Sequence, residues 1–82
     1  MSSAMSKHAK AANHVDALGL LCPLPVLRAR KLLQSMAPGE VLHVSADDPM
    51  AAIDLPNFCR EQGHILLDAD GTEFLIRKGP TT

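Results

Sequence analysis

The rhythm of apolar and polar positions divides the chain into six segments. From about His14 to Leu18, Val15 and Ala17 alternate with Asp16, the period-2 pattern of a short strand, and Gly19 ends it. From Pro23 to Met36 the period changes. Val26, Ala29, Leu32, Leu33 and Met36 recur at helical spacing, Arg28, Lys31, Gln34 and Ser35 face elsewhere, and Pro38-Gly39 stops the run. "EVLHVSA", Glu40 to Ala46, alternates again and predicts a strand with Leu42, Val44 and Ala46 on one face.

"DDP" then predicts a helix start, with Asp48 as N-cap and Pro49 as first helical residue. Pro56 falls inside this second helix, where it lacks the N–H of an intrahelical bond and restricts Leu55, so a bend or short break is expected there. Phe58 and Cys59 return to the core side and Gly63 closes the helix. "HILLDADGTEFLIRK" reads as a hairpin from His64 to about Lys78 with its turn at Asp70-Gly71. The order β-α-β-α-β-β predicts an α+β fold, a two-layer sandwich with two helices on one face of a four-stranded mixed sheet. One domain over residues 14–79 is expected, with a flexible tail at 1–13 and a short one at 80–82.

Composition sharpens this picture in two places. At 82 residues, 46% hydrophobic, with no Trp or Tyr and only Phe58 and Phe74, the core must be aliphatic. A formal net charge of -1 supplies no field for nucleic acid, and stacking aromatics are missing as well. The opening "MSSAMSKHAKAAN" has no apolar signal-peptide core, and no apolar run reaches the ~20 residues that span a bilayer. A cytoplasmic protein with no membrane partner is the expectation.

Candidate chemistry concentrates in "GLLCPLPVLRARK", residues 19–31. If Pro23 opens the helix, Cys22 is its N-cap. Unpaired backbone N–H groups and the positive end of the helix dipole would then favour the thiolate. Pro23 and Pro25 stiffen the turn, while Arg28, Arg30 and Lys31 add positive charge without an acid between Cys22 and Met36. The turn alone leaves two readings open: a reactive sulfur, or a small side chain that merely caps a helix. Leu21 and Leu24 either rim the thiol with apolar surface or pack inward, Leu21 more readily inward. Cys59 is read as a small core residue.

None of His8, His14, His43 and His64 lies near Cys22 in sequence. His14 or His64 could approach it through the fold, but each reads as a strand-end histidine. A protease-type Cys-His site would also need an oxyanion site and a cleft that so small a domain hardly builds, so that arrangement is rejected. A zinc site is rejected too, since its ligand spacing does not occur. Asp47, Asp48 and Asp54 are read as caps and a solvated face, with a partner-docking edge as the functional alternative.

"DALGLLCPLPVLRARKLL", followed by "PGE", "ADDP", "DLPNFC" and "LIRKG", resembles the TusA/SirA family of small sulfur-carrier proteins over about Val15 to Gly79. The family motif Cys-Pro-x-Pro falls on Cys22, Pro23, Leu24 and Pro25. The resemblance implies a fold like the C-terminal domain of a bacterial translation initiation factor. It implies that Cys22 accepts sulfane sulfur as a persulfide, with no cofactor beyond that covalent sulfur and no metal. Implied partners are a cysteine desulfurase or rhodanese-like donor and a downstream acceptor protein, leading to tRNA thiolation, molybdenum cofactor or sulfur oxidation. Leu24 stands where some members carry an acid, which bears on partner choice. Leu24, Arg28, Arg30 and Lys31 are candidates for a docking surface, with Asp47 and Asp48 beside them.

Three rival readings remain at this stage. An interaction or regulatory domain with Cys22 as cap would tolerate Cys22→Ser, since serine caps as well. An RNA-binding module rests on fold analogy alone. A redox switch pairing Cys22 with Cys59 needs their Cα atoms within ~7 Å.

Overall fold

A computed structural model describes residues 13–80. Of the two expected tails, residues 1–12 and 81–82 lie outside the described residues, and Asn13 already belongs to the first strand. The elements run β1 (Asn13–Asp16), α1 (Leu24–Gln34), β2 (Val41–Ser45), α2 (Ala51–Gln62), β3 (Ile65–Asp70) and β4 (Glu73–Arg77), which is the expected order.

The sheet order is β1-β2-β4-β3. β1 pairs parallel to β2, and α1 forms the crossover that a parallel pair needs. β4 pairs antiparallel with both β2 and β3, so the final hairpin places its second strand inside the sheet. Asp70 pairs with Glu73, so the hairpin connection is Gly71-Thr72, one residue later than expected. Gly71 takes a φ of 61°, a value open to glycine at low cost.

Strand alternation decides which face the helices cover. Val15, Val44 and Phe74 share one register row, and Leu42 and Ile76 another; all five are buried against α1 and α2. From α1 come Ala29 and Leu33, and from α2 Ala51, Leu55, Phe58 and Cys59. Leu33, Leu42, Leu55 and Ile76 are fully buried, each contributing about 2 kcal/mol relative to exposure. The aliphatic core and the inward placement of Leu42, Val44 and Ala46 match the sequence pattern.

Pro56 does not interrupt α2, which runs unbroken from Ala51 to Gln62. The carbonyl that its missing N–H leaves without an intrahelical partner belongs to Ala52, an exposed residue, where solvation lowers the cost of the lost bond. Gly63 ends the helix in the left-handed conformation at φ 79°. The start differs from expectation. Asp48 caps a turn ahead of the helix, its Oδ1 accepting from Met50 N at 3.0 Å and its carbonyl from Ala51 N at 2.8 Å, and Met50 is the N-cap.

The helix-free face carries a polar group drawn from three strands. Ser45 Oγ donates to Glu73 Oε1 at 2.6 Å and meets His14 Nε2 at 2.9 Å. His43 Nε2 lies 2.5 Å from the same Glu73 oxygen, Thr72 Oγ1 donates to the other at 2.5 Å, and the His14 and His43 rings stack at 4.4 Å. Hydrogen bonds from Ser45 and Thr72, with His43 adding to them, hold the Glu73 carboxyl at about 2, below its usual 4.5.

Lys78 is buried, and its Nζ donates to the Met36 carbonyl at 2.6 Å. Its backbone also pairs with Gly39 and Glu40, so the end of the hairpin clamps the turn between α1 and β2.

Candidate functional site

The segment from Gly19 to Pro23 crosses from β1 to α1 at the edge of the helix layer, and aspartates from the β2–α2 connection hold it. Gly19 N donates to Asp47 Oδ1 at 2.9 Å and Cys22 N donates to Asp48 Oδ2 at 2.5 Å. Asp16 Oδ1 accepts from Leu18 N at 3.1 Å. Asp47 and Asp48 therefore fix the backbone that carries the cysteine. The two hydrogen bonds at Asp48, from Met50 N and Cys22 N, lower its pKa.

Cys22 is exposed and unbridged. It does not occupy the helix N-cap. That position is Pro23, which makes no side-chain capping bond, so Leu24 is the first helical residue and Pro25 the second. The Cys22–Pro23 peptide is cis. Pro23 and Pro25 have no N–H, and Leu24 N donates to the Leu21 carbonyl at 2.9 Å. The helix start thus has little to offer the sulfur, and the expected dipole-stabilised thiolate is corrected. Instead Sγ donates to Asp54 Oδ2 at 2.8 Å. That hydrogen bond first, then desolvation and the negative charges of Asp54 and Asp48, raise the thiol above its ordinary value. The resting sulfur is a thiol leaning on a carboxylate. The cap reading loses its basis by the same geometry.

Exposed apolar side chains neighbour this pair in sequence. Leu21, immediately before the cysteine, is 70% exposed, against the inward placement favoured for it; Leu18 and Leu24 are about half exposed. Met50 and Ile53, beside the aspartates that hold Cys22, are exposed too. Pro25 turns inward and is buried, anchoring the first turn of α1.

The three cations of α1 do not form one surface. Arg28 and Lys31 lie along an open groove of about 820 Å³ between α1 and the β1 edge, with Leu24, Leu27, His14 and Asp16. Arg30 points to the other side, near Phe58, Gln62, His64 and Lys78. Cys59 is buried in the core and burial pushes its thiol up to about 11. Both cysteines are free, Cys22 on the surface and Cys59 inside, and no disulfide joins them in this structure.

Sequence reasoning placed Asp54 on a solvated face and missed its contact with Cys22. The two are 32 positions apart, and the signal lay only in the "DLPNFC" string of the family resemblance.

Comparison with known proteins is consistent with this geometry. A family model described as Sulfurtransferase TusA matches residues 13–78. The crystal structure of a SirA-like protein from Desulfitobacterium hafniense is similar at 32% sequence identity and a TM-score of 0.66, the match covering 80% of this chain and 96% of that one.

Proposed function

Because the chain belongs to the TusA sulfurtransferase family, we propose that it is a sulfur carrier that holds sulfane sulfur as a persulfide on Cys22. The observation that carries this reading is an exposed thiol with a carboxylate at 2.8 Å, on a turn fixed by Asp47 and Asp48 and bordered by exposed leucines.

Loading takes sulfur from a donor persulfide, R–S–SH. The Cys22 sulfur attacks the outer sulfur, the donor S–S bond breaks, its electron pair leaves on the donor thiolate, and Cys22–S–SH forms. The sulfane sulfur changes neighbours without net oxidation or reduction. Such an exchange needs access and alignment rather than a closed pocket, and Cys22 is exposed. Asp48 and Pro25 align the turn, one through the Cys22 N–H and the other by burial against the core. Donors of the cysteine desulfurase or rhodanese type fit this chemistry, as does an acceptor protein thiol. The apolar rim of Leu18, Leu21, Leu24, Met50 and Ile53 is the contact surface we assign to both, with Arg28 and Lys31 at its α1 side.

The test is intact-mass analysis after incubation with a cysteine desulfurase and cysteine, without reductant. One added sulfur on wild type and on Cys59→Ser, and none on Cys22→Ser, is the expected pattern. Sulfur retained by Cys22→Ser, or absent from wild type with desulfurase, rhodanese and thiosulfate alike, would overturn the reading.

A further inference from the structure

We propose that Asp54 is a catalytic residue of the transfer, the group that accepts the Cys22 proton as the sulfur attacks and, when the persulfide is handed on, relays the acceptor thiol's proton to the departing Cys22 sulfur. The inference rests on the carrier reading above and adds to it a residue and a proton path.

Geometry comes first. Asp54 sits in the first turn of α2 and reaches across to the β1–α1 turn, where its Oδ2 accepts from Cys22 Sγ at 2.8 Å. For a donor that is sulfur this is a close contact. The partner that holds the backbone of Cys22 is a different residue, Asp48. Asp54 is therefore spare as a positioning group for the main chain, and its one described bond goes to the reacting atom itself.

Electrostatics give that contact a purpose. The charges acting on Sγ come from Asp54 on α2 and Asp48 on the loop before it, both negative, and the nearest helix start is depleted of N–H donors by its prolines. A free thiolate is disfavoured in such surroundings. A thiol that must nevertheless act as a nucleophile needs its proton removed during attack rather than before it, and a carboxylate already bonded to that proton supplies this. The same arrangement keeps an exposed sulfur protonated between transfers, when a standing thiolate would be open to oxidation.

The step balances. Cys22–SH, R–S–SH and the Asp54 carboxylate become Cys22–S–SH, R–S⁻ and Asp54–COOH; the Sγ–H bond and the donor S–S bond break, and the new S–S and O–H bonds form. The Asp54 proton then passes to the donor thiolate, restoring the carboxylate and giving R–SH. Unloading is this sequence reversed, with the acceptor thiol in the place of R–SH.

Two rates measured on Asp54→Asn separate this role from a structural one. Removing the carboxylate frees the thiolate, so alkylation of Cys22 by iodoacetamide becomes faster near neutral pH and its pH midpoint moves down. Single-turnover loading from glutathione persulfide, read by intact mass, becomes slower by roughly tenfold or more. Opposite changes in the two rates are the expected result. Loading that stays equal or rises with alkylation overturns the proposal, and so does a parallel fall of both, which would mark Asp54 as merely shaping the turn. Asp54→Ser repeats the test if the asparagine variant fails to fold. Failure of wild type itself to load from any donor would instead refute the carrier reading, and this inference with it.

Discussion

Replacing Glu73 by glutamine probes the polar group on the helix-free face of the sheet, and its effect can be worked out from the hydrogen bonds there. Glutamine preserves volume and an acceptor oxygen for Ser45, so the change removes mainly charge. The folded carboxyl titrates at about 2, against an ordinary 4.5, through bonds from Ser45 and Thr72 and the neighbouring His43. A group depressed on folding stabilises the native state fully above its unfolded value and loses that contribution as pH falls through the folded one. Linkage gives an upper figure of roughly 3 kcal/mol. The Glu73 side chain is 31% exposed, so screening reduces this to about 1–2 kcal/mol. For a domain of this size that is a fall in melting temperature of roughly 5–12 °C near pH 7. Thermal melts followed by circular dichroism should show this gap at neutral pH, narrowing below about pH 4.5 and closing near pH 2. Equal melting temperatures at neutral pH, or a gap that persists undiminished near pH 2, would refute the reasoning.

Two further outcomes concern buried groups. Cys59, whose thiol burial raises to about 11, should resist iodoacetamide at pH values where Cys22 reacts, and become reactive only in denaturant; peptide mapping of the alkylated protein checks this. Lys78→Ala removes the donor to the Met36 carbonyl and a buried aliphatic stem, and should cost about 1–3 kcal/mol in urea unfolding, whereas a change within ~0.5 kcal/mol would show that the clamp is idle.

The parts of this molecule that were legible in the sequence are those set by local periodicity. Leu42, Val44 and Ala46 alternate and are all buried; Ala29, Leu33 and Met36 lie at helical spacing and reach the core; Gly63 terminates α2 as a glycine should. Errors arose where distant segments decide. Pro56 looked like a break, but α2 runs through it, the missing bond falling at Ala52 on the exposed side of the helix. Leu21 resembles a core residue by type, yet the turn held by Asp48 points it to solvent. Cys22 was singled out as a candidate nucleophile through helix-start donors, but Pro23 holds the N-cap, Pro23 and Pro25 have no N–H, and Leu24 N is bonded to the Leu21 carbonyl, so that argument does not hold. The influence that does act on the sulfur comes from Asp54, on another helix. The His14–Ser45–Glu73 group likewise joins three strands that only the sheet register brings together.

The most direct test of the central claim is a load-and-release cycle on Cys22. Protein loaded from a desulfurase is freed of donor and mapped by peptide mass, then treated with cyanide, which removes sulfane sulfur as thiocyanate. The account predicts one extra sulfur on the Cys22 peptide, none on the Cys59 peptide, and stoichiometric thiocyanate as the original mass returns. Sulfur that resists cyanide, or that maps anywhere but Cys22, would contradict it.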